Sequence, residues 1–95
     1  MPKVNLSLQV IPLVPEEKIY QVVDQVISLI DASGVNYLVG PLETTMEGEL
    51  EELLDLVKKA QEICTQAGAS RVLSVVKIDY KPEGVTMDEK IYPYR

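Results

Sequence analysis

The chain has 95 residues, a formal net charge of −6 and no histidine. That length makes one domain, which buries only roughly 60–65% of the surface its unfolded chain exposes, so oligomerisation is expected. The acidic balance argues against nucleic acid, whose phosphates are held by clustered Lys and Arg, and the missing histidine removes the commonest general base and transition-metal ligand.

From Val4 to Val10 the residues alternate strictly, with Val4, Leu6, Leu8 and Val10 on one side and Asn5, Ser7 and Gln9 on the other. This is a half-buried strand with a polar outer face. Pro12 and Pro15 end it, and Pro15-Glu16-Glu17 suits a helical first turn, proline fixing φ and the acids facing the positive end of the dipole. Ile19, Val22, Val23, Val26 and Ile30 follow at helical spacing up to Gly34, a left-handed cap. Asn36 to Val39 predicts a short strand, Gly40-Pro41 a break, and Glu43 to Glu47 the returning arm of a hairpin.

A second helix carries Leu50, Leu53, Leu54, Val57, Ala60, Cys64 and Ala67 on one stripe and ends at Gly68. Its acids Glu49, Glu51 and Glu52 come early and Lys58 and Lys59 later, the order the helix dipole favours. Cys64, without a CxxC or histidine partner, reads as a small buried apolar residue. Val72 to Ile78 is a strand apolar on both faces, which calls for a covering partner. In the tail, Thr86-Met87-Asp88-Glu89 is a capping box opening a short helix that Pro93 limits. A helix that short must dock to persist, with Met87, Ile91 and Tyr92 as its expected contact face.

The order β-α-β-β-α-β is that of a ferredoxin-like α+β sandwich with an antiparallel sheet, here a single domain over 1–95 whose extension occupies about 80–95. Right-handed crossovers put both helices on one face and make the first and third strands central. The polar outer sides of those strands then join into one patch. Glu43, Thr45 and Glu47 project together there, with Thr44 and Met46 on the opposite face.

A solvated sheet face is the plain alternative for that row. Carboxylates at i and i+4 of a strand stand about 13 Å apart, too far for one ion or one shared proton, so neither a metal site nor a catalytic pair is assigned. They suit opposite ends of an elongated ligand. Tyr37 is a candidate to stack on a heteroaromatic ring, against ordinary packing. Lys77 is a candidate to orient a carboxylate or phosphate, against a role in blunting a sheet edge. Tyr80, Tyr92 and Tyr94 read as interface residues. With neither a signal-peptide core nor a run of transmembrane length, the expectation is a cytoplasmic protein that does not enter membranes.

Met1-Pro2-Lys3-Val4 leading to Val10-Ile11-Pro12, Asn36-Tyr37 with Gly40-Pro41, the block Thr44-Thr45-Met46-Glu47-Gly48-Glu49, and Lys77-Ile78-Asp79-Tyr80 with Thr86-Met87-Asp88-Glu89-Lys90 occur in unbroken order. Together they resemble the small YkoF-like thiamine-binding family over nearly the whole chain. The resemblance implies a ferredoxin-like subunit in dimers or tetramers that binds thiamine or its hydroxymethylpyrimidine part, with no catalytic step and no cofactor. It places Thr44, Thr45, Glu47 and Gly48 near the ligand. Glu43 adjoins them in sequence, while Gln9 and Ile11 are neighbours by geometry where the first strand approaches the motif. The expected ligand set is thus Gln9, Ile11, Tyr37, Glu43, Thr44, Thr45 and Glu47. Two rival readings remain: a small hydrolase of a thiamine-like compound, which lacks the histidine, phosphate loop and arginine cradle it would need, and a protein–protein interaction module without a small ligand.

Overall fold

The computed structural model describes residues 2–95; Met1, the first residue of the opening motif, lies outside the described residues. The elements are β1 (Lys3–Pro12), α1 (Ile19–Ser33), β2 (Asn36–Val39), β3 (Thr44–Glu49), α2 (Leu50–Gln66), β4 (Val72–Asp79) and α3 (Met87–Ile91). Short 3₁₀ turns at Glu16–Lys18 and Tyr92–Tyr94 precede α1 and follow α3. The fold is α+β in the β-α-β-β-α-β order, with a four-stranded antiparallel sheet arranged β2-β3-β1-β4. The two strands with alternating polarity are therefore central, as expected of right-handed crossovers.

Pairing follows from the alternation. Leu6 opposes Met46 and Ile78, and Leu8 opposes Thr44 and Val76, so one face of β1 and β3 is apolar. Against it α1 sets Val22, Val26 and Ile30, and α2 sets Leu53, Leu56, Ala60 and Cys64, closing a core in which Val4, Leu6, Ile30, Met46 and Leu53 are fully buried. Leu56 joins this core although it lies outside the stripe expected from the sequence. Burial raises the Cys64 thiol above its ordinary value, which suppresses the reactive thiolate.

Two glycines shape the chain locally. Gly34 closes α1 at φ 82°, where its missing Cβ removes the steric penalty. Gly48, in the Thr-Thr-Met-Glu-Gly block, faces α2: a Cβ there would meet Leu53 Cδ2 at 3.3 Å and Glu52 Oε1 at 3.2 Å. The glycine allows the first turn of α2 to fold back tightly onto β3.

The tail takes the course its capping box dictates. Thr86 Oγ1 accepts from the Glu89 amide at 3.2 Å, and Glu89 Oε1 accepts from the Thr86 amide at 3.0 Å. Met87 is buried and Ile91 half-buried, whereas Tyr92 is 80% exposed. The expected contact face is corrected in that one residue, because the turn into the 3₁₀ segment around Pro93 carries Tyr92 off the docking side. Among the described residues no helix is long and apolar enough to cross a membrane.

Candidate functional site

The helix-free face of the sheet is ordered in transverse rows. Leu38 opposes Thr45, Thr45 opposes Ser7, and Ser7 opposes Lys77, so one row crosses all four strands. At inter-strand spacings of about 4.8 Å it is about 14 Å long. The adjacent row is Asn36, Glu47, Asn5 and Asp79. On the other side, Gln9 faces Val75 and Ile11 faces Leu73.

The tail roofs the second row. Val85 donates its amide to the Lys3 carbonyl at 3.0 Å and accepts from Asn5 Nδ2 at 3.4 Å. The Met87 amide donates to Glu47 Oε1 at 2.6 Å, and Lys90 Nζ bonds Asn5 Oδ1 at 2.7 Å and Asp79 Oδ2 at 2.6 Å. These bonds lay α3 across the sheet, which explains why the outward-facing Asn5 and Ser7 are buried. Asn5 is satisfied by this arrangement. Ser7 is only 7% exposed, and its Oγ finds no hydrogen-bond partner among the described residues.

Between α3 and the first row lies a pocket of about 400 Å³, lined by Asn5, Ser7, Thr45, Met87, Lys90 and Ile91 among others. A second hollow of about 410 Å³ adjoins it under the β2–β3 loop, with Gln9, Pro41 and Leu42 in its wall. Leu38, Glu43, Thr45 and Lys77 line both. Lys77 Nζ and Glu43 Oε1, 3.2 Å apart, form an ion pair on that shared boundary. The lysine thus has a specific partner beyond any role at the sheet edge.

The structure brings Gln9, Glu43 and Thr45 together at these hollows. Ile11 shares their face but lines neither. Glu47 also projects to this side, yet one oxygen holds the Met87 amide and the other accepts from Asn36 Nδ2 at 3.3 Å. Its carboxylate anchors the roof. Two members of the expected ligand set stand on the helix face, Thr44 where alternation puts it. Tyr37 opposes Met46 on the helix face, and its hydroxyl donates to Asp31 Oδ1 of α1 at 2.8 Å, so stacking over the open face is corrected to packing behind the sheet. Thr44 opposes Leu8, is buried on the same face, and stands apart from the pocket. Alternation sends neighbours in a strand to opposite sides, and for Tyr37 the pairing with Met46 decides which side.

The pocket residues absent from the expected set are Asn5, Ser7, Leu38, Lys77, Ile78, Asp79 and the tail contributors Met87, Lys90 and Ile91. The alternation of β1 already marked Asn5 and Ser7 as outward. Nothing local to the tail indicated which surface it would cover.

The chemistry of this floor is hydrogen-bonding groups, apolar walls and one exposed ion pair, suited to holding a flat polar heterocycle. A family described as thiamine-binding protein matches residues 6–95. A UPF0045 protein of Clostridium perfringens is 58% identical over 91 residues, covering 96% of both chains. A Bacillus cereus structure described as a DUF77 domain of unknown function is 48% identical with a TM-score of 0.93, over 99% of this chain and 91% of that one. A Thermotoga maritima structure assigned a candidate role in thiamine biosynthesis or salvage is 41% identical with a TM-score of 0.92, over 99% of this chain and 100% of that one.

Proposed function

Because the chain belongs to the thiamine-binding protein family, we propose that its open sheet face binds thiamine or the hydroxymethylpyrimidine part of it and does not turn the ligand over. The single observation that carries this reading is the half-enclosed pocket of about 400 Å³ whose floor sets the hydroxyls of Ser7 and Thr45 side by side. An aminopyrimidine offers an amino donor and ring-nitrogen acceptors, which hydroxyl groups meet in either sense. Thiamine adds a cationic thiazolium, which Glu43 at the pocket boundary complements. The absence of a histidine leaves the floor without the commonest proton-transfer group, favouring holding over turnover.

Self-association belongs to the same reading. β4 is an edge strand on which Leu73, Val75 and Ile78 are 60%, 42% and 45% exposed, and a second copy is the proposed cover. A cytoplasmic location and a single domain over 1–95 complete the proposal, in keeping with a lone cysteine that has no disulfide partner.

The test is calorimetric titration of thiamine and hydroxymethylpyrimidine into wild type and Thr45→Val, which removes one hydroxyl at nearly constant shape. Both compounds bind wild type, and the variant binds each about three- to tenfold more weakly, the value of one hydrogen bond. Absence of binding by wild type to both compounds rejects the reading.

A further inference from the structure

The two hollows share a boundary, and a pair of opposite charges stands on it. Lys77 and Glu43 contact each other at 3.2 Å with side chains 69% and 32% exposed. Ion pairs with one well-exposed member, as here, contribute little and open readily. The inner compartment behind the pair contains a different feature: Ser7 Oγ, nine-tenths buried, lining the pocket and without a hydrogen-bond partner among the described residues. A buried hydroxyl left unpaired is unfavourable for the folded protein, and it is retained where something else bonds it.

Resting on the reading above, we propose that Ser7 is the fixed hydrogen-bonding point for an uncharged heterocycle in the inner compartment, and that the Glu43–Lys77 pair selects the remainder of the ligand by charge, favouring a cationic ring that carries an anionic ester. A purely cationic group arriving at the boundary gains Glu43 but leaves Lys77 beside a like charge. A purely anionic group gains Lys77 and leaves Glu43 unpaired. A ligand with both signs replaces each half of the ion pair, so opening it costs nothing in matched charges, and a ligand with neither leaves the pair closed. The outer compartment beyond, of about 410 Å³ with Gln9, Pro41 and Leu42 in its wall, has room for the second half of such a molecule. Among thiamine-related compounds the description fits the phosphate monoester better than free thiamine.

Lys90, a second exposed cation over this face, does not compete for the role. Lys90 is engaged by both Asn5 and Asp79, under the tail it helps to hold. Lys77, by contrast, has one partner among the described residues, the half-buried Glu43, which sits on the same boundary.

The experiment is calorimetric titration of thiamine monophosphate, thiamine and hydroxymethylpyrimidine into wild type, Lys77→Met and Ser7→Ala, with thermal melting of each protein. Wild type prefers the monophosphate to thiamine by about tenfold, the value of one charge-assisted contact. Lys77→Met erases that preference. Ser7→Ala weakens all three ligands by about three- to tenfold while its melting temperature stays level or rises, because the lost hydroxyl supports nothing in the free protein. A wild type without preference for the ester, or a Lys77→Met protein that keeps it, overturns the charge selection. Unchanged affinities in Ser7→Ala, or a lowered melting temperature without loss of binding, overturn the inner assignment. If none of the three compounds binds wild type, the thiamine-binding reading fails as well; altered selectivity failing alone leaves that reading intact.

Discussion

Adjacent side chains in one strand have opposite fates in this protein. Tyr37 and Leu38 are neighbours in β2, yet Leu38 joins the row on the helix-free face and Tyr37 bonds Asp31 on the helix side. The phenol's hydrogen bond to Asp31 raises its pKa above the ordinary value of about 10, with desolvation and the carboxylate's charge adding to the shift in that order. The folded protein therefore prefers the neutral phenol. That contribution is fully present below the unfolded pKa near 10 and is lost as pH rises through the folded one. Ultraviolet titration of wild type against Tyr37→Phe reads this directly: the difference spectrum ionises with a midpoint above about pH 10. A midpoint at or below that value contradicts the bond to Asp31.

At the scale of elements, α3 is the piece that makes a pocket out of a bare sheet. Five residues do not hold a helix by themselves in water, so its persistence rests on the capping box and on the sheet groups it meets. Glu47 is the chief of these through the Met87 amide. Thr86→Ala and Glu47→Ala should each loosen the same segment, and hydrogen exchange is the measurement. Amides of Met87 to Ile91 exchange about fivefold faster for a cap worth about 1 kcal/mol, while those of β1 and β3 are unaffected. Equal protection in wild type and Glu47→Ala makes Glu47 a free ligand group again.

At the scale of the whole molecule, the helices satisfy one face of the sheet and the tail part of the other, leaving β4 apolar and at an edge. Exposed edge strands carrying Leu73, Val75 and Ile78 invite pairing with another strand. Light scattering of wild type should give at least twice the mass of one chain, and Leu73→Lys with Ile78→Lys should reduce it to that of a single chain. A monomeric wild type removes the proposed cover, whereas an unchanged mass in the double variant moves the interface off β4.

Much of this architecture is legible in the sequence, and for a physical reason. The alternation from Val4 to Val10, the stripes of α1 and α2, the Gly34 cap and the Thr86–Glu89 box all concern residues within about one or two turns of one another, so side-chain periodicity and local hydrogen bonding determine them. The outward row of Glu43, Thr45 and Glu47 is equally accessible, because pleating admits no other arrangement. The roof is a different matter. Lys90 reaches Asn5 across most of the chain length, and Met87 reaches Glu47 across nearly half of it. No local pattern encodes that docking, which depends on two surfaces fitting after both have formed. Sequence alone thus determined the strands, the helices and which side chains look outward. Only the tertiary structure decided that Glu47 is spent on holding the tail, that Tyr37 lies behind the sheet, and that Ser7 ends up buried in the floor of a pocket, its hydroxyl unpaired among the described residues.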